Sequence, residues 1–267
     1  MLAAVHYGEL AQAPAQQVVD QLVGSEVVQE VFEVSDQPDL VTTPNIPELL
    51  AWRHDQKLLE HKWRDHLNRA NALQDFAANP NECIYRIRIR LDRNFRESQW
   101  RARQIERFVT AKHIQAWRQF ASSSYSGLVV IESDATLAPD SVNRVSVVVA
   151  QLSVDELIYV NLAGGLDRRD ISIEHLAANQ TNGMTSFTRP VTNTSCAYAV
   201  NRSAVRELLT FLSTNPKAGH LGIDWLFNSF FMSWTSAGNT IRCLHCQPPA
   251  LMHGSLVGIT DSWHPDR

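Results

Sequence analysis

The segment "SGLVVIESDATLAPDS", which begins at Ser126, constrains this chain more than any other. Leu128 to Ile131, led in by Gly127, form an apolar run with no polar face, the pattern of a strand covered on both sides. The run stops at Glu132, Ser133 and Asp134. An unpaired buried charge costs several kcal/mol, on the order of a domain's whole stability. The chain must therefore surface here or supply something that compensates two carboxylates.

A strand covered on both faces needs layers above and below, and the rest of the sequence provides them. The chain has 267 residues, 44% hydrophobic and 19% charged, enough for a full core. "LAAVHY", the helix "PAQQVVDQLVG" closed by Gly24, and "VVQEVFEVSD" ending at Asp36 read as a β-α-β opening. Asn45, Pro47 and Glu48 cap a long helical region, 47–78, in which Leu49, Trp52, Leu59, Trp63, Ala70 and Leu73 recur near a helical period. "CIYRIRIRLDR" sets Ile87, Ile89 and Leu91 against Arg86, Arg88 and Arg90, and predicts a strand with one cationic face. A helix over 97–122 then feeds the 128–131 strand. A helix near 140–152, the strand "ELIYVNLAGG", a loop from Asp167 to Thr194 and the strand "SCAYAVN" follow. A helix over 203–212, a loop holding Gly219 and Gly222, a helix from Asp224 and a strand before "HGSLVG" complete the order. Strands alternating with helices predict a single α/β domain, 1–267, with a mainly parallel central sheet flanked by helices.

Charge and cysteine usage narrow the function classes. A formal net charge of −4 gives no reason to expect nucleic acid or an anionic membrane as the main partner. No apolar run approaches the ~20 residues of a membrane span, and "MLAAVHYGEL" lacks the basic and long apolar regions of a signal peptide. A cytoplasmic protein is expected. Cys83, Cys196, Cys243 and Cys246 are too few for a disulfide scaffold. Cys243 and Cys246 form a C-x-x-C, but they lie on an alternating strand with no second ligand pair nearby, and read as small apolar strand residues.

In open α/β sheets, ligands sit at the carboxyl ends of strands. If the chain stays extended past Ile131, Glu132 and Asp134 point the same way, and a hard divalent cation is the usual remedy for two converging acids. The alternative is a solvated turn in which Asp134 or Asp140 only caps the next helix.

"RFVTAKHIQAWRQFASSSYSGLVVIESDATL" resembles the central block of glycosyltransferase family 25, the bacterial lipopolysaccharide and eukaryotic collagen galactosyltransferases. In that family a helix carrying Ser-His and a Trp leads into an apolar strand ending Glu-Asp-Asp, and His113, Trp117, Glu132 and Asp134 match. "TSCAYAVNRSAVRELLTFL" and "GIDWLFN" resemble its Tyr-containing strand, its helix and its Asp-bearing turn. The likeness runs in patches over 105–230. It departs at Lys112, which stands for the Ser, at Ser133, which stands for the middle acid, and over 1–95, which does not align.

The resemblance implies a GT-A-like (Rossmann-like) fold, with a divergent nucleotide-binding part over 1–95 and a metal and acceptor part over 96–267. It implies a metal-dependent, inverting transfer from a UDP-linked sugar to a glycan acceptor such as a lipopolysaccharide or surface polysaccharide, with Mn²⁺ or Mg²⁺ as cofactor. Asp134 would be the direct metal ligand, Glu132 would take a metal-bound water or the ribose, and His253 would be a further ligand. His113, Asp36 and Ser255 would contact the donor. Asp224 would be the base, or else merely a helix cap, with Glu174, Asp167 and Asp170 as substitutes for the base. The Arg86, Arg88 and Arg90 stripe, with Arg93 and Arg96, faces a diphosphate, an acidic acceptor or water. His54, His61 and His66 read as a solvated face. The rival readings are a nucleotide-sugar-binding protein without transfer activity, and another metal-dependent enzyme acting on phosphorylated substrates.

Overall fold

The computed structural model describes residues 2–6, 12–34, 45–65, 80–152, 155–164, 176–193 and 195–259. The β-α-β opening forms as expected: β1 (Leu2–His6) and β2 (Glu30–Glu33) pair in parallel across helix α1 (Gln12–Gly24). Strand β1 also pairs in parallel with β3 (Gly127–Glu132), so the N-terminal segment and the central block share one sheet.

That sheet has eight strands in the order β2-β1-β3-β9-β5-β10-β8-β7, with β5 at Ile158–Asn161, β7 at Ala177–Thr181, β8 at Met184–Phe187, β9 at Ala197–Asn201 and β10 at Arg242–Cys246. It is mixed rather than mainly parallel. Pairings β1–β2, β1–β3 and β5–β10 are parallel, whereas β9 runs against both β3 and β5, and β8 runs against both β10 and β7. The expectation failed because alternation of strands and helices says nothing about a strand inserted in reverse between two others. It also failed because the expected loop 167–194 contains the β7–β8 hairpin. Asn182 and Gly183 at its tip have φ of 51° and 72°, the left-handed pair that a tight hairpin turn requires.

Strand alternation divides the core into two. Leu128 and Val130 of β3, Tyr159, Tyr198 and Cys243 face one side, where they meet α2 (Ile46–Asp65), α4 (Arg93–Ala121), α6 (Arg202–Thr214) and α7 (Ile223–Ser236) through Leu59, Trp117, Val205 and Phe227. Val129 and Ile131, Ala197, Ala199, Leu244 and Cys246 face the other, against Val18 and Leu22 of α1 and Val145 of α5 (Ser141–Val149). This is why β3 carries no polar residue before Glu132. Cys243 and Cys246, buried on opposite faces of β10, are packing residues here.

Two helical expectations change. "CIYRIRIRLDR" lies mostly in helix α3 (Pro80–Leu91), not in a strand. Pro80 starts the helix, where its missing N–H costs nothing, and Asp92 caps α4 directly after it by accepting from the Phe95 N–H at 3.0 Å. Of the predicted apolar face only Ile89 is buried; Ile87 and Leu91 are exposed. Helix α2 covers 46–65 of the expected 47–78 region, and the remainder lies outside the described residues.

Candidate functional site

The site forms where β3 ends and where strand order turns back through the reversed β9. Glu132 is the next position after Val130 on the side of β3 that faces α4, and His113 of α4 lies against it, Nε2 to Oε1 2.9 Å. The other ring nitrogen, Nδ1, lies 2.9 Å from the Tyr198 hydroxyl, which also accepts from Trp117 Nε1 at 2.9 Å. Trp117 can only donate, so the Tyr198 hydroxyl accepts from it; with the hydroxyl proton directed at His113 Nδ1, Nε2–H donates to Glu132. A neutral imidazole is required, and complete burial, with Lys112 adding repulsion, holds the ring's pKa down to about 3. His113 is thus placed on Glu132, not at a surface where a donor nucleotide would touch it.

The chain does not stay extended after Glu132. Ser133 and Asp134 form a turn into β4 (Ala135–Leu137). Strand β4 pairs with β11 (Leu251–His253), which sets His253 opposite Ala135. A second, three-stranded sheet, β4-β11-β6 with β6 at Ala163–Gly164, therefore brings the C-terminal histidine to the acidic turn. His253 Nδ1 lies 3.0 Å from Asp134 Oδ2 and 3.0 Å from Ser255 Oγ, and the Gly254 N–H donates to the Asp134 carbonyl at 2.8 Å. Burial alone would lower the His253 pKa, but the bond to Asp134 and the charges of Asp134, Glu132 and Asp224 raise it.

Asp224 enters from the first turn of α7. The N-cap of that helix is Gly222, and the Asp224 carboxylate reaches across instead to Ser195, accepting its N–H at 3.0 Å and its hydroxyl. The simple cap role is thereby replaced by a tie between α7 and the segment leading into β9. Its field contributes to the shifts of Glu132, His253 and Cys196, so three carboxylates share one locale. Burial, then Asp134, push the Glu132 pKa up to about 8.

Three residues at this end were not picked out by the sequence reading. Cys196 is 2% exposed, its Sγ within 4.8 Å of ligand atoms on both Asp134 and His253, and its carbonyl accepts the Glu132 N–H at 2.7 Å. Ser195 orients Asp224, and Tyr198 links His113 to Trp117. The sequence signals were that "SC" directly precedes an apolar strand and that this strand carries the tyrosine of the family resemblance.

The remaining expected residues fall elsewhere. Asp36, Asp167, Asp170 and Glu174 lie outside the described residues. Arg86 pairs with Asp55 of α2 at 2.8 Å, and Arg88 with Asp92 at 3.6 Å, which makes these two members of the stripe helix-surface partners. His54 stacks on Tyr85 with ring centroids 3.9 Å apart, while the His61 and His66 side chains lie outside those described. Among the described residues no helix is long and apolar enough to cross a membrane. No family model and no curated protein matches the chain.

The donor set bears on the cation. Carboxylate oxygen and imidazole nitrogen at Asp134 and His253 suit Mn²⁺, whereas Mg²⁺ prefers oxygen alone. The residues present fit a divalent ion.

Proposed function

We propose that this chain is a metal-dependent, inverting glycosyltransferase that moves a sugar from a UDP-linked donor to a glycan acceptor. The observation that carries the reading is the convergence of Glu132, Asp134, Asp224 and His253 at the carboxyl end of β3, beside a reversed strand, where Asp134 and Asp224 raise the pKa of both Glu132 and His253. Order and spacing of the motifs that resemble glycosyltransferase family 25 supply the choice of sugar transfer over other phosphate chemistry.

A cation bound by Asp134 and His253 would neutralise the charge that grows on the departing nucleoside diphosphate. The other tasks belong to side chains. Glu132, held by the His113–Tyr198–Trp117 chain, is fixed in orientation toward the same space. Asp224, oriented by two donors from Ser195, takes the proton of the acceptor hydroxyl as that oxygen attacks the anomeric carbon from the face opposite the leaving group.

Replacing Asp224 by Asn tests the assignment, because the amide still fills the space and accepts from Ser195. Donor and metal affinity should stay near wild type while transfer falls by ~10²–10⁴-fold, the usual loss with a general base. Normal transfer by Asp224→Asn would remove Asp224 from the chemistry.

A further inference from the structure

We propose that Cys196 joins Asp134 and His253 as a third ligand, making an oxygen–nitrogen–sulfur site that binds borderline-soft ions such as Co²⁺, Zn²⁺ or Cd²⁺ more tightly than Mg²⁺. The ligand atoms of these three residues all lie within 4.8 Å of one another. Ligands around one tetrahedral ion with metal–ligand distances of ~2.0–2.3 Å stand about 3.5 Å apart, so small side-chain movements close the set. Backbone ties already hold all three arms. Strand pairing fixes His253 against Ala135, the Gly254 N–H holds the Asp134 carbonyl, and the Glu132 N–H holds the Cys196 carbonyl.

A buried cysteine is ordinarily a small hydrophobe, as Cys243 and Cys246 are on β10, and Cys196 packs in the same core layer as Cys246. Cys196 differs in where its sulfur sits. It lies beside an aspartate and an imidazole that are hydrogen-bonded to each other, and within the field of Glu132 and Asp224. An apolar contact gains nothing from such neighbours, whereas a cation gains a soft donor. On coordination the thiol proton leaves to solvent and the sulfur binds as thiolate, so no oxidant or reductant is involved. Thiolate selects against hard ions, and Mg²⁺ would use only the oxygen side of the site.

This inference rests on the reading that Asp134 and His253 hold a cation, and cobalt separates the two. The full chain, stripped of metal with a chelator, is titrated with Co²⁺ and followed in the near-ultraviolet, where sulfur-to-cobalt charge transfer absorbs, and in the visible, where ligand-field bands report cobalt in any site. Wild type should show both. Cys196→Ser should lose the near-ultraviolet band, keep visible bands, and bind Co²⁺ more weakly by at least the ~10–100-fold that loss of even an outer partner costs. Cys243→Ser should keep both, and Asp134→Asn should lose most of both. Cobalt bound with no sulfur band in wild type would overturn the role of Cys196 and leave the cation reading standing. Failure of wild type to bind cobalt at all would overturn both.

Discussion

Glu106 and Glu132 are glutamates of similar burial whose carboxyl groups are driven in opposite directions. Glu106, on α4, pairs with Arg53 of α2 and with Arg103, and its pKa is lowered although burial pushes it up, because Arg53, Arg103 and Lys57 outweigh the loss of water. At Glu132, burial, Asp134 and Asp224 outweigh the opposing charges of His253 and Lys112, and its pKa rises to about 8. The first cluster contains its own counter-charge, to the point that Lys57, pushed down chiefly by burial, falls to about 8. The second is weighted toward acids. Completed charge clusters fasten elements together, here α2 to α4, and on the proposed reading the acid-rich cluster at the strand end is where an external cation would sit.

The comparison breaks most easily at Glu106. Glu106→Ala leaves Arg53, 3% exposed, without its carboxylate, and removal of one partner of a buried pair costs ~3–5 kcal/mol. Urea unfolding should register that loss, with UDP affinity of the folded fraction unchanged; a cost under ~1 kcal/mol, as for a surface pair, would refute the fastening role. Tyr198→Phe should cost less, ~1–3 kcal/mol, because the buried Trp117 N–H loses its acceptor. Since His113 Nδ1 would then lose the hydroxyl that orients the ring, transfer activity should fall beyond what the loss of folded protein explains, and an unchanged specific activity would make the chain purely structural.

The smallest effect is a slope. With a folded pKa of about 8 against an ordinary 4.5, Glu132 holds a proton in the folded state that the unfolded chain has released between those values. Its contribution to stability is therefore present at low pH and is lost as pH rises through that window. Glu132→Gln should flatten the decline in urea midpoint between pH 5 and 8, measured without divalent ions. An identical slope in the variant would show that Glu132 ionises normally.

Much of this site was legible because its residues interrupt regular patterns. Glu132 and Asp134 end an apolar run, Asp224 opens a helix after a glycine, and His253 ends a strand. The extended geometry assumed for 132–134 was not legible, because the turn at Ser133 is set by the pairing of β4 with a strand more than a hundred residues later. Cys196 was hidden for a similar reason: only the antiparallel pairing of β9 with β3 sets it beside the acids. The arginine stripe misled because Ile84, Ile87 and Leu91 recur at helical spacing within the same stretch that alternates. The Asn182-Gly183 turn, by contrast, is a readable hairpin signal inside the stretch expected to be a loop.

The central claim, that the acids at the end of β3 await a cation which in turn holds a nucleoside diphosphate, is met most directly by calorimetric titration of UDP with and without Mn²⁺, on wild type and on Asp134→Ala. His253 is part-exposed and keeps its bond to Ser255 when the Asp134 carboxylate is removed, so the variant should fold, and its melting is measured on the same preparation. Wild type should bind UDP tightly only with Mn²⁺, and Asp134→Ala should lose that difference. UDP binding that is indifferent to Mn²⁺ in wild type, or a dependence on Mn²⁺ that persists unchanged in Asp134→Ala, would contradict it.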